Sequence, residues 1–257
     1  MATESQCPHC DGSGWKMVEK DGVSAAERCA CLVGTRSRRL EDSAGIPPLY
    51  RHASFDNFIL PRDNPVGHRE LAHVLLTVKS FVREFPNEKR PGLLLVGEPG
   101  TGKTHLAVAA VRHLISKGFE ALFFDYQNLL DRIRAGYDVN SGASDREAYR
   151  FALDAEVLLL DDLGAHRVTE WVEDTVTSII TYRCNNRKPL IATTNLVDPD
   201  AGGGAFERSA PVPGKIDYRI TLADRIGSRA RSRLFEMCKV VRMPLVEDFR
   251  LRKPQPA

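Results

Sequence analysis

The chain has 257 residues, 42% hydrophobic and 27% charged, and its 36 basic side chains nearly balance 34 acidic ones to a net charge of +2. No apolar run approaches the roughly 20 residues that cross a bilayer, and the polar N-terminus has no signal-peptide core, so the expectation is a globular cytoplasmic protein with no membrane role. The charge balance neither demands nor excludes nucleic acid; a basic surface has to come from local clustering.

The first element in chain order is a cysteine cluster. Of six cysteines, Cys7, Cys10, Cys29 and Cys31 fall in the first 31 residues, leaving Cys184 and Cys238. "CPHC" and "CAC" are separated by 18 residues, which approaches a four-thiolate zinc pattern. Thiols stay reduced in the cytoplasm, so metal binding is favoured over disulfides. A short segment with few apolar residues needs such a staple to fold. "CPHCDGSG" also resembles one C-x-x-C-x-G-x-G repeat of the zinc region in DnaJ-type chaperones. "CAC" departs from the usual C-x-x-C, and His9 could replace one thiolate. The bland alternative is four unpaired thiols on a tail.

After a short charged helix or linker at 32–45, "IPPLYRHASFDNFILPRDNP" reads as an extended arm packed on a domain surface. The expected organisation is a zinc-binding segment over 1–40, a linker and arm over 41–66, and a larger domain over 67–257. Residues 67–85 carry apolar positions at helical spacing: Leu71, Val74, Leu75, Val78, Phe81 and Val82. Strands follow at 92–96, 120–125, 156–162 and 189–195. Between them lie helices at 103–118, 126–137 and 169–187, and a long loop at 198–217 leads to a last helical region and "CKVVRM". Continuous apolar strands alternating with helices predict an α/β fold with a parallel sheet covered on both faces.

Four motifs carry chemistry. "GEPGTGKT", comprising Gly97, Glu98, Pro99, Gly100, Thr101, Gly102, Lys103 and Thr104, fits the phosphate-binding loop G-x-x-x-x-G-K-[ST]. It follows a buried strand and opens a helix, so its backbone N–H groups and the helix N-terminus can face one anion. Lys103 would reach the β/γ-phosphates of ATP, and the Thr104 hydroxyl would ligate Mg2+. "EVLLLDDLG" is a hydrophobic strand ending in two carboxylates: Asp161 would hold Mg2+ through water, and Asp162 would orient or deprotonate the attacking water. Asn195, closing "ATTN", is either a turn residue or a group that holds that water. "DRIGSRARSRLFE" packs Arg225, Arg229, Arg231 and Arg233 into nine residues. It is either a solvated basic helix or the source of a guanidinium for a neighbouring subunit's phosphoryl transfer.

These motifs together resemble P-loop AAA+ ATPases. The finer pattern over about residues 46–250, "IPPLYRHASFDNF", "LLLDDLGA…W", "SRLFEMCKVV" and "EDFR", resembles the DnaC/DnaI/IstB branch. The resemblance implies Arg233 as arginine finger, Arg229 as a secondary finger candidate, Arg250 as second sensor, and a homo-oligomer formed on a partner or on DNA. It also implies single-stranded DNA contacts near Arg134, Tyr137, Thr169 and Trp171. Cations and aromatics suit that role, although Tyr137 and Trp171 could equally be core or interface aromatics. Three functions compete: loading a hexameric replicative DNA helicase, IstB-like transposition help, and an ATP-gated adaptor with little hydrolysis. The zinc segment tilts the expectation to the loader, with Zn2+ in a structural role.

Overall fold

Three strands hidden on both faces form the centre of the molecule. In the computed structural model, described for residues 7–251 except 9, 12, 14, 21–22, 87–88, 138–142, 197 and 199–219, β3 (Gly92–Val96), β5 (Val157–Asp161) and β6 (Leu190–Thr194) are buried at every position. The edge strands β4 (Ala121–Asp125) and β7 (Cys238–Arg242) are buried only in part. All pairings are parallel, in the order β4-β5-β6-β3-β7. β3 therefore lies between β6 and β7, and the chain leaves it for the far edge. That order reversal opens a crevice at the carboxyl ends of the strands.

One face of the sheet is covered by α2 (Pro65–Glu84) and α3 (Lys103–Ser116), whose Val78, Phe81, Leu106 and Leu114 share a core with Leu93 and Leu95. Asn64 caps α2 by accepting from the Gly67 N–H at 2.9 Å, with Pro65 in the first turn. The other face carries α4 (Tyr126–Ala135), α5 (Ala143–Asp154), α6 (Glu170–Asn185), the short α7 (Leu222–Ile226) and α8 (Ser228–Met237) around Leu158, Leu160 and Ala192.

The helix α5 has no counterpart in the sequence reading. Among its described side chains the buried ones are Ala148 and Ala152, a stripe too small to stand out as a hydrophobic period. Arg183 of α6 holds its end. This fully buried guanidinium donates to the carbonyls of Ala152 (3.0 Å), Leu153 (3.2 Å) and Ala155 (3.0 Å), and to that of Pro189 before β6. Burial pulls it down to about 10, still charged at neutral pH.

The arm is bolted down rather than loosely laid on. Arg112 of α3 donates to the Ala53 carbonyl at 2.8 Å and pairs with Glu41 of α1 (Ala30–Ser43). His105 bonds the Ser54 carbonyl at 2.9 Å, and its ring lies 5.5 Å from that of Phe58. Before α1, β1 (Trp15–Lys20) and β2 (Val23–Arg28) form an antiparallel hairpin. The stretch of the long loop at 199–217 lies outside the described residues. Among the described residues no helix is long and apolar enough to cross a membrane.

Candidate functional site

The crevice at the carboxyl ends of β3, β5 and β6 holds a cavity of about 520 Å3, within the range of small-molecule sites. The loop after β3 is anchored by the Gly97 N–H, which donates to the Thr194 carbonyl of β6 at 3.2 Å. Gly100 and Gly102 take φ of +73° and +94°, and a Cβ would stand 1.9 Å from the Asp248 carboxylate at the first and 2.6 Å from the Phe58 ring at the second. Glycine is thus required for both backbone conformation and close approach. The Thr101 hydroxyl donates to the Glu98 carbonyl at 2.8 Å. Lys103, 5% exposed, donates to the carbonyls of Gly97 and Glu98, both at 2.8 Å. Burial pulls its ammonium down to about 8, against the opposing fields of Asp162, Asp161 and Glu98.

β5 delivers the carboxylates. Asp161 is buried, accepts from Thr193 Oγ1 at 2.7 Å, and lines the cavity together with Thr104. Burial pushes its carboxyl up; the Thr193 and Thr104 hydroxyls pull it down and the Asp162 charge pushes it up further. Asp162 leaves the strand at φ +54°, an uncommon conformation for a residue with a side chain and one concentrated at functional sites. Its N–H donates to Thr193 Oγ1 at 2.9 Å, and its carboxylate accepts from Asn195 Nδ2 at 3.1 Å. Thr193 therefore braces both acids, a function not marked by any motif beyond the "TT" before Asn195.

The arm and the C-terminal segment complete the cavity. The arm supplies Leu49, Tyr50, Phe58 and Ile59, and the C-terminal segment supplies Val246, Phe249 and Arg250. The Phe249 N–H donates to the Gly100 carbonyl at 3.0 Å, which lays that segment on the phosphate loop. Arg250 grips Asp248 through Nε (3.0 Å) and Nη2 (2.9 Å), and this holds the Asp248 carboxyl below its ordinary range. The lining combines apolar side chains (Leu49, Phe58, Ile59, Val246) with charged ones (Lys103, Asp161, Asp162, Arg250), which suits a base joined to a polyphosphate. Thr104 and Asp161, which line the cavity together, are oxygen donors that fit Mg2+.

The arginine run divides by role. Arg231 clasps the buried carboxylate of Asp198 through two bonds of 2.6 Å, and Arg225 donates to the His166 carbonyl at 3.3 Å; both brace the fold. Arg229 and Arg233 lie exposed on α8, Arg233 paired with Glu236 at 2.7 Å, and neither lines the cavity. Three of the residues proposed for DNA come together: the Arg134 guanidinium sits 4.7 Å from the Trp171 ring centre, and the Tyr137 ring packs edge-on at 6.5 Å. Tyr137 is 72% exposed. Thr169 does something else: its side chain caps α6 by accepting from the Val172 N–H at 3.3 Å.

At the other end of the chain, the sulfurs of Cys7, Cys10 and Cys29 lie within 4.8 Å of one another, with Cys7 and Cys29 at 3.7 Å. Tetrahedral thiolates at about 2.3 Å from zinc stand about 3.8 Å apart, so the three fit that ion. Asp11 N–H donates to the Cys7 carbonyl at 2.9 Å, with Asp11 at φ +48°, which turns the chain around the sulfurs. His9 and the Cys31 side chain lie outside the described residues.

Residues 33–198 match the family described as IstB-like ATP binding protein. The chain belongs to this family. It is an ATP-binding protein of the DnaC/DnaI/IstB branch of AAA+ ATPases. It is 33% identical to a DnaC helicase loader of solved structure, covering 77% of this chain and 100% of that one with a TM-score of 0.60. A solved DnaI structure, 20% identical with a TM-score of 0.56, shares the fold. Among sequences, Bacillus subtilis (strain 168) YqaM is 28% identical over 83% of this chain and 61% of its own length. Escherichia coli (strain K12) replicative helicase loader DnaC is 23% identical over 62% of each. The chain thus spans about three-fifths of those two relatives.

Proposed function

We propose that this protein loads a hexameric replicative DNA helicase, binding single-stranded DNA and hydrolysing ATP to gate loading and release. The observation that carries this is the division of the active groups between two surfaces. Lys103, Asp161, Asp162, Asn195 and Arg250 share one cavity, while Arg233 faces outward on α8, where a neighbouring subunit's cavity could receive it. Lys103 and the amides of residues 97–104 bind the phosphates. Asp162, oriented by Asn195, takes the proton of the attacking water. Thr104 and, through water, Asp161 would hold Mg2+, which would supply neutralisation of phosphate charge. Arg250 senses the phosphate from the same subunit, and Arg233, with Arg229 one turn before it, stabilises the developing charge in the next.

The segment 1–40 serves as a zinc-stapled docking module for the helicase, 41–66 as the arm and 67–257 as the ATPase. Trp15 and Met17, on one face of β1 and 49% and 69% exposed, supply the apolar contact. Arg134, Tyr137 and Trp171 form the DNA platform, with Thr169 shaping its edge. The relatives named as helicase loaders support this assignment, and the IstB-like family description supports transposition help as the second reading. A pull-down with the native protein separates them. Recovery of the replicative helicase, lost on deleting residues 1–40, is expected; recovery of a transposase instead overturns the loader assignment. Trp171→Ala should weaken single-stranded DNA binding by about tenfold, the worth of one stacked base, and unchanged binding removes the platform.

A further inference from the structure

The helix that carries Arg233 is held differently at its two ends. At its C-terminus α8 runs straight into β7 at Cys238, so the sheet fixes it. At its start it follows Gly227, at φ +82°, and along its length Ala230, Leu234 and Met237 lie in the core. Apolar contact is not directional, so this stripe leaves room for a small turn of the helix about its axis. Asp198 restrains that turn. Its carboxylate, with no exposed surface, accepts from Arg231 Nε and Nη2, both at 2.6 Å. Asp198 is itself anchored from β7, where Arg242 Nη2 donates to its carbonyl at 2.9 Å. A two-point fork between guanidinium and carboxylate fixes geometry as well as charge.

Arg233 follows Arg231 by two residues, about 200° around the helix. The fork therefore grips one side of α8, and Arg233 projects, exposed, from the other. A turn of about 10° shifts a group about 6 Å from the axis by about 1 Å. A misplacement of that size can cost about a hundredfold in rate. We propose that Asp198 is a positioning residue for Arg233: through Arg231 it sets the rotation of α8, and so the aim of the guanidinium offered to the neighbouring subunit. Asp198 lies three residues beyond Asn195, which donates to the Asp162 carboxylate at 3.1 Å. The stretch after β6 thus orients Asp162 in its own subunit and aims Arg233 at the next.

This inference rests on the division of catalytic groups between subunits proposed above, and mixtures of full-length variants test the two apart. Hydrolysis is read with single-stranded DNA and ATP. Asp198→Asn alone should be about a hundredfold slower than wild type. Its affinity for a fluorescent ATP analogue should stay within about twofold. Mixed with Asp162→Asn, whose Arg233 is intact, it should recover a measurable part of the wild-type rate. Mixed with Arg233→Ala it should not, because both partners then lack an aimed guanidinium. Recovery with Arg233→Ala places the defect in the cavity of the same subunit and overturns the proposal, as does a wild-type rate for Asp198→Asn alone. Recovery with neither, in a protein that still binds the analogue, makes the clasp a support of fold or assembly and also overturns it. If Asp198→Asn fails to bind the analogue, Arg231→Lys, which keeps the charge and loses the fork, takes its place in the same mixtures. No recovery in the control mixture of Asp162→Asn with Arg233→Ala overturns the division between subunits itself.

Discussion

The nucleotide cavity and the N-terminal hairpin are built on opposite principles. The cavity takes residues from the loop after β3 and the start of α3, from the end of β5, from Asn195 just beyond β6, and from the arm and the C-terminal segment, and the strands behind them are fixed by buried apolar neighbours such as Leu95, Leu159 and Ile191. The hairpin has two six-residue strands, and Trp15 and Met17 on it face solvent. Among the described residues, three thiols, Cys7, Cys10 and Cys29, cluster at its base. Apolar burial orders the first region, and the proposed zinc would order the second. The two should therefore come apart under the right perturbation.

The largest expected effect is at the thiols. Cys29→Ser should abolish stoichiometric zinc, read by atomic emission, and unfold the hairpin, read by loss of strand amide protection in hydrogen exchange. ATP-analogue affinity should stay within about twofold, since distant sites act independently. Concerted loss of nucleotide binding would break the separation.

Next comes the sheet. Arg183→Met keeps length but leaves the carbonyls at the end of α5 without a donor. At about 1–3 kcal/mol for each unsatisfied buried group, partly relieved by rearrangement, a loss of about 3 kcal/mol and a fall in Tm of roughly 10 °C follow. Zinc content should be unchanged. A Tm within a degree of wild type would mean that α5 is held by something else.

The smallest effect is electrostatic and confined to the cavity. Lys103, drawn down to about 8 by burial, is charged below that pH and neutral above it. Phosphate favours the charged form, so binding takes up a proton where Lys103 is partly neutral. Affinity should be flat below pH 7 and weaken as pH rises through 8, by up to about tenfold per unit. Calorimetry in two buffers of different ionisation enthalpy reads the proton uptake, and equal heats at pH 8.5 would contradict it.

The same contrast explains what was legible. Motifs contiguous in sequence carried their context with them: "GEPGTGKT" between a buried strand and a helix, and "LLLDD" at a strand end. The expected strands and helices flanking them differ from the observed ones by no more than two residues at most boundaries. Asn195 meets Asp162 where the order of strands puts it. Residues whose role depends on remote partners left no such mark. Tyr50 sits in an arm that reads only as extended, Thr193 is one of two adjacent threonines, and Arg183 is a lone arginine on an amphipathic helix. The alanine face of α5 is too slight to register as a period. The hairpin did leave a signal, two runs joined by Asp21-Gly22, a favoured hairpin turn that cysteine spacing overshadowed. Arg231, one of four similar arginines, turns out to grip Asp198, a partner 33 positions away.

The central claim is that catalytic groups are divided between subunits, and a mixing experiment tests it directly. Asp162→Asn removes the carboxylate proposed to activate water, and Arg233→Ala removes the guanidinium proposed to act on a neighbouring subunit. Each alone, with single-stranded DNA and ATP, should hydrolyse at least about a hundredfold more slowly than wild type. Mixed in equal amounts, they should recover a measurable part of the wild-type rate, because some interfaces pair an intact Asp162 with an intact Arg233. A mixture no faster than its components, or an Arg233→Ala protein as active as wild type, would contradict the account.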